Sequence, residues 1–475
     1  MGLENLPIYR QEGYVQPEIN FLPVFVVFTL SVFALETLLD IRQHHKLKQK
    51  TPPSALLHVV KKVDHGTSND KQSGDGVQAK FTAAQTYGLD KSQFHFVESI
   101  FDLTLTLVIN ALGFMPWLWD ISIVCLSKVG VEGAGDIPIS LVFMLLGIFF
   151  QTLVGLPFSM YSTFVIEVKH GFNKQTIGLF LADKVGYKGE EMDNFGLFNY
   201  VKGLLLSFVI GAPAVAAVLY IIDLGGQYFY MYIWGFLVFL VLVMMTVYPI
   251  WIMPLFNKYT LLEDGELKTA IEALAAKVSF PLTKLYVVDG SKRSGHSNAY
   301  FYGFFKNKRI VLFDTLIQQA SVDEIVAILG HELGHWKKSH TLQGFAISQS
   351  YVFVSFCAFA LASELGESLR MSFGYSAPAT LITLYLFFAV MWAPVDNVLS
   401  VLMNMLSRKN EFQADAYAVE HGYSKDLVTG LVKLQLENLE NMVRDLDRQG
   451  GSLSRVVPPK CLPLEHQEYA EWFTV

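Results

Sequence analysis

VDEIVAILGHELGHWKKSH (Val322–His340) contains the pattern H-E-x-x-H at His331-Glu332-Leu333-Gly334-His335. Residues four apart on a helix share one face, so two imidazoles at this spacing can hold one Zn²⁺. The glutamate after the first histidine reaches a water at that metal. The helix announces its own start. Ser321 with Glu324 three places on reads as a capping box, and Val322, Ile325, Val326, Ile328 and Leu329 recur at helical spacing. H-E-x-x-H also arises by chance in long chains, so the rest of the sequence must supply the remaining ligand and the setting.

That setting is a membrane. The 475 residues are 52% hydrophobic and only 17% charged, with a mean hydropathy of +0.36. Ordinary globular domains are nearer a quarter charged. Seven stretches are long and apolar enough to cross a bilayer: Phe21–Asp40, Phe96–Trp119, Ile137–Val165, Gly203–Ile222, Phe229–Met253, Thr341–Ala362 and Ala377–Met405. The first reads as an uncleaved signal anchor. Of the 36 lysines and arginines, 33 fall in the connections after spans one, three, five and seven. The positive-inside rule therefore predicts a lumenal N-terminal tail over residues 1–20 and a cytosolic C-terminus. The net charge of −7 gives no reason to expect nucleic acid as a partner. Cys125, Cys357 and Cys461 are far apart and indicate neither a disulfide framework nor a thiolate zinc site.

Between the spans, Arg42–Lys91 reads as a polar, mobile loop, and Glu167–Tyr200 as a segment lying on the cytosolic membrane face. Residues 21–254 thus hold spans one to five with their loops. Residues 255–340 form the largest non-membrane segment before the C-terminal region. A helical stretch near Leu267–Val278 and strands at Leu285–Val288 and Arg309–Phe313 make it a small α/β unit ending in the H-E-x-x-H helix. The ionisable residues Glu36, Glu98, Asp102 and Asp396 lie in or at the ends of spans and point to an internal polar cavity.

A catalytic zinc site needs a third protein ligand and one open position. The extended pattern H-E-x-x-H-x-x-G-x-x-H is excluded, because Lys338 and Thr341 occupy its last two places. The alternative is a glutamate from another helix, and Glu411 in EFQAD (Glu411–Asp415) is the candidate. His335 lies just before span six and Glu411 just after span seven. Spans six and seven (341–405) form a hairpin, so both groups emerge on the cytosolic side, within about 10 Å of the membrane boundary. Asp415, one turn beyond Glu411, is placed to accept the second ring N–H of a ligand histidine. Residues 406–437 would then be the helix that carries the third ligand.

These residues occur within longer stretches that resemble one family. GLPFSMYSTFVIE (Gly155–Glu167), KHGFNKQT (Lys169–Thr176), FPLTKLYVVDGSKRSGHSNAY (Phe280–Tyr300), FYGFFKNKRIVLFDT (Phe301–Thr315), GHELGHW (Gly330–Trp336) and EFQAD are similar to the type I CAAX prenyl proteases, including the animal enzymes that mature prelamin A. The resemblance covers about residues 20 to 436. It implies an all-α multi-span membrane protein whose seven transmembrane helices form a hollow, water-filled barrel, with a small gluzincin-like α/β unit at the cytosolic face. It implies one Zn²⁺ on His331, His335 and Glu411, with Glu332 as the base. It further implies that His296, Asn298, Ala299 and Tyr300 lie on an edge strand that pairs with extended substrate; read from the residues alone, this stretch is a polar turn. The implied reaction removes the last three residues of farnesylated CaaX proteins, with a second upstream cut for some substrates. The implied location is the endoplasmic reticulum membrane and also the inner nuclear membrane. The tail, residues 438–475, departs from the pattern. It runs GGSLSRVVPPKC (Gly450–Cys461), and His466 is followed by Gln467 and Glu468 where the family carries His-Pro-Pro and then an arginine. Two other readings stay open: a membrane quality-control metalloprotease, which would need fewer spans, and a non-catalytic protein that binds prenylated chains.

Overall fold

The computed structural model describes residues 17–48, 75–171, 196–256, 258–289, 298–303, 307–375 and 378–437. Helices α1 (Leu22–Leu47), α2 (Asp75–Leu112), α3 (Phe114–Lys128), α4 (Asp136–Tyr161), α5 (Gly196–Leu224) and α6 (Phe229–Val247) come first. Two spans run on through π-helical turns, α4 through Ser162–Glu167 and α6 through Tyr248–Ile252. After the α/β unit come α9 (His340–Leu361), then α10 (Thr380–Leu386), a π-turn at Phe387–Trp392 and α11 (Ala393–Glu420). Among the described residues six helices are long and apolar enough to cross a membrane. The remaining expected span falls in α5, whose described part supplies the apolar helix Phe208–Leu224.

Two boundaries differ from the sequence reading. The segment to Lys91 is not all loop, since α2 is already helical from Asp75. Its polar first half is held by tertiary contacts that periodicity does not register. Phe81 and Leu47 are buried, and Gly88 lies so close to Leu47 that a Cβ there would sit 2.8 Å from a leucine methyl. The Tyr87 hydroxyl donates to Glu167 Oε1 at 2.5 Å, and Asp90 receives Lys169 and His170, each at 2.7 Å. The second span is also broken. Gly113 adopts φ 70°, a left-handed conformation open to glycine without steric cost, and α3 begins as a separate helix that contains Trp119.

The spans bury few residues, from none to 22% of each apolar window. Their main apolar core, with Leu118, Trp119, Phe143, Ile233, Phe359, Ile382 and Trp392, gathers at one end of the bundle. With Leu22 of span one, they come from spans two, three, five, six and seven, mostly from the ends that the charge pattern assigns to the lumen. The helices are thus tied together at that end. Of the ionisable span residues, Asp396 accepts from the Tyr351 hydroxyl at 2.8 Å, and Tyr351 in turn accepts from the Trp392 indole N–H.

The α/β unit is built on a four-stranded sheet with strand order β1-β2-β4-β3. β1 (Tyr259–Leu261) and β3 (Ala299–Tyr302) are antiparallel edges, while β2 (Leu282–Val288) and β4 (Lys308–Phe313) form a parallel centre. The central strands begin one to three residues earlier than the apolar pattern indicates. Helix α7 (Glu266–Val278) and helix α8 (Val322–Lys337) bury Ile271, Leu274, Ile325, Leu329 and Leu333 against Leu285, Ile310 and Leu312. No break falls at residue 406, because α11 leaves the membrane as one helix and carries both Glu411 and Asp415. α12 (Ser424–Glu437) then packs on α8. Residues 438–475 lie outside the described residues.

Candidate metal centre

Helix α8 starts on the expected capping box. Ser321 Oγ accepts from the Glu324 amide, and Glu324 returns a carboxylate oxygen to the Ser321 amide at 2.8 Å. Glu324 also takes the Lys433 ammonium of α12 at 2.8 Å. Burial raises the Glu324 carboxyl, but Lys433 and the Ser321 amide outweigh it and hold the group below the ordinary carboxylate range. The start of α8 is therefore fixed from two sides.

At its other end α8 lies almost backbone to backbone on α11. A Cβ at Gly334 would stand 3.0 Å from the Ala414 Cα and carbonyl oxygen and 3.1 Å from Tyr417 Cβ. Ala414 and Ala418 are fully buried against this face. Only a glycine opposite an alanine lets the helices meet this closely, and the meeting brings Glu411, one turn before Ala414, to the histidines. His331 Nε2 lies 3.2 Å from His335 Nε2 and 3.4 Å from Glu411 Oε2, and His335 Nε2 lies 3.9 Å from Glu411 Oε1.

Both histidines turn their second nitrogen away from this point. His331 Nδ1 is 2.7 Å from Asp415 Oδ1, and His335 Nδ1 is 3.0 Å from His340 Nδ1. His331 and Asp415 are deeply buried. Burial alone would pull the His331 imidazolium down; hydrogen bonds to Asp415 and Glu411 and the charges of Asp415 and Glu332 outweigh it, so its pKa is pushed up to about 10. The pocket is thus a well for a cation. Glu332, on α8 between the two histidines, is half-buried.

The donor set fits zinc. Two imidazole nitrogens and a carboxylate oxygen all lie within 4.8 Å of one another. Ligands about 2.0–2.1 Å from a tetrahedral zinc stand about 3.3–3.4 Å apart, and the first two separations already match this.

The structure thus brings together His331, His335, Glu411 and Asp415, as the hairpin topology predicts. Of the expected substrate strand, Ala299 and Tyr300 lie in β3, at the sheet edge that packs on α8. Ala299 is buried opposite Leu312, and Tyr300 pairs with Val311. The Tyr300 hydroxyl meets that of Tyr259 at 3.3 Å, and burial pushes its phenol up. Asn298 caps the strand start, its side-chain oxygen accepting from the Ala299 amide. His296 lies outside the described residues. Sequence reasoning missed His340 and, on α11, Gln413. His340 follows His335 by five places, a spacing with no helical signal.

The chain matches two family patterns end to end: the CAAX prenyl protease N-terminal region with five membrane helices over residues 43–188 and 194–258, and peptidase family M48 over residues 261–473. It is 44% identical over 428 residues to the CAAX prenyl protease 1 homolog of Arabidopsis thaliana, covering 90% of this chain and 93% of the relative. The chain belongs to the M48 CAAX prenyl protease family. The likeness extends to animal and fungal members. The human CAAX prenyl protease 1 homolog is 39% identical over 458 residues, covering 88% of this chain and 90% of its own. The crystal structure of S. mikatae Ste24p superposes with a TM-score of 0.79 at 34% identity, over 93% of this chain and 99% of that one. Membership makes this chain a multi-pass membrane zinc metalloprotease, and the His-His-Glu cluster is where its described residues can hold the metal.

Proposed function

We propose that this protease removes the last three residues of farnesylated CaaX proteins at the endoplasmic reticulum membrane, with its N-terminus lumenal and its C-terminus cytosolic. Several relatives are named CAAX prenyl protease 1, and 33 of 36 basic side chains fall on one side of the spans. The observation that carries the reading is the meeting of His331, His335 and Glu411 across a two-span membrane hairpin. It supports hydrolysis of a C-terminus held at the membrane by its lipid. In functional terms the chain divides into spans one to five, an α/β unit, a hairpin and a helix that returns the third ligand.

His331, His335 and Glu411 would hold the zinc, which supplies Lewis acidity to an attacking water and to the scissile carbonyl. Glu332 takes the proton of that water and delivers it to the leaving amine. Asp415 keeps the His331 proton on Nδ1, so that Nε2 presents a lone pair. β3, at the edge of the sheet beside α8, offers backbone groups to an extended peptide, with Asn298, Ala299 and Tyr300 lining it. The lipid lies among apolar span residues.

Mass spectrometry of a farnesylated CaaX peptide incubated with the purified protein tests this. Tripeptide release that stops in Glu332→Gln, with zinc still bound, is the expected result. Equal cutting of an unprenylated, misfolded protein would turn the reading to quality control, and zinc binding without any cleavage would turn it to a non-catalytic prenyl-protein binder.

A further inference from the structure

His335 and His340 are five residues apart, and on a regular helix that spacing separates two side chains by well over a quarter turn. Here the helix is interrupted. α8 ends at Lys337, Ser339 adopts φ 59° and ψ 31°, and α9 restarts at His340. A left-handed serine costs of order 1 kcal/mol and persists only where its surroundings hold it. The turn folds the His340 ring back onto His335, with ring centroids 5.0 Å apart and an interplanar angle of 75°. The two Nδ1 atoms meet at 3.0 Å. His340 Nε2 reaches Gln413 Oε1 at 2.9 Å, and Gln413 sits on α11 between Glu411 and Asp415. His340 is buried.

The direction of this chain of hydrogen bonds follows from chemistry. An amide oxygen only accepts, so His340 Nε2 carries the proton and donates to Gln413. A neutral His340 then has a lone pair on Nδ1, which accepts from Nδ1–H of His335. His335 Nε2 is left without a proton, facing His331 and Glu411. The reverse polarity would put the proton on His335 Nε2 and bar it from a metal.

We propose that His340 and Gln413 form a relay that fixes the tautomer and aim of His335, as Asp415 does for His331. Both act through His335 and are positioning residues. The two ligand histidines are thus held differently, one by an anion and one by a neutral pair. The proposal rests on the metal-site reading above and adds two residues to it.

The test uses the full chain in detergent, with Zn²⁺ affinity measured against a competing chromogenic chelator and the d–d spectrum of the Co²⁺-loaded protein as a geometric readout. His340→Ala should weaken Zn²⁺ binding about 10–100-fold and shift the cobalt bands. Gln413→Leu should weaken it less. The double variant should be no worse than His340→Ala, because Gln413 works through His340. His340→Asn, whose side-chain oxygen can accept from His335 Nδ1–H, should recover most of the affinity. Should His340→Ala fail to fold, Gln413→Leu and His340→Asn carry the comparison. Wild-type affinity and spectrum in the single variants overturn the relay alone, as does full multiplication of the two losses in the double variant. A loss matched by an equal loss of metal-free thermal stability, with unchanged cobalt bands, also overturns it. A wild-type chain that binds no zinc overturns the metal centre and the relay together.

Discussion

Replacing Gly334 by alanine tests whether helix contact sets the metal geometry. The new methyl would stand 3.0 Å from two backbone atoms of Ala414 and 3.1 Å from Tyr417 Cβ, none of which can swing aside. The helices must part by a few tenths of an ångström. Overpacking of this kind costs about 1–3 kcal/mol, and alanine returns about 1 kcal/mol through its better helix propensity. A net loss of about 0–2 kcal/mol should leave the protein folded. Zinc is less forgiving, because ligand distances hold within about 0.2 Å. With His335 beside Gly334 and Glu411 one turn from Ala414, we expect Zn²⁺ affinity to fall about 10–100-fold, as for losses just outside a ligand shell. Gly330→Ala is the internal contrast. Its methyl would meet a Tyr423 ring carbon at 3.3 Å, and a ring can rotate away. There the propensity gain should cancel the contact, leaving stability and zinc affinity unchanged. Thermal unfolding and chelator competition on both variants decide the matter. A Gly334→Ala protein with wild-type affinity, or a Gly330→Ala protein equally damaged, would refute the reasoning.

Asp415→Asn keeps an acceptor for His331 Nδ1 but removes its charge, so Zn²⁺ should bind about tenfold more weakly with the fold intact; identical chelator competition curves would contradict it. Glu324 provides a pH test outside the membrane. Its carboxyl is held low when folded, so its contribution is complete above the ordinary glutamate pKa and is lost as pH falls through the folded value. Lys433→Met should therefore lower the unfolding temperature at neutral pH, by an amount equivalent to about 1 kcal/mol or less given the part-exposed lysine, and flatten the acid side of the stability profile. Parallel profiles for variant and wild type would count against this.

What could be read from residues alone was whatever is local or topological. The Ser321 capping box, the pairing of His331 with His335 and the apolar spans each depend on spacing within one element. Glu411 and Asp415 needed one further step, the return of a hairpin to the same membrane face. The polar first half of α2 was not legible, because Phe81, Gly88 and Asp90 are held by α1 and by the turn at Glu167 rather than by a periodic apolar face. β3 was not legible either: its one fully buried residue is the small Ala299, directly after the polar His296-Ser297-Asn298, and only Phe301 besides it packs on the core. His340 was hidden by a single backbone torsion, since nothing in Lys338-Ser339 signals a left-handed turn.

The hairpin between α8 and α11 also has a consequence for biogenesis. Asp415 follows His331 by 84 residues, and Glu411 reaches the histidines only after two membrane crossings. A nascent chain that has released the H-E-x-x-H helix from the ribosome carries two imidazoles but not the carboxylate that completes the His-His-Glu cluster. That cluster assembles only when the last crossing is inserted and α11 emerges on the proper face. Completion of the cluster is thereby tied to insertion of the last crossing.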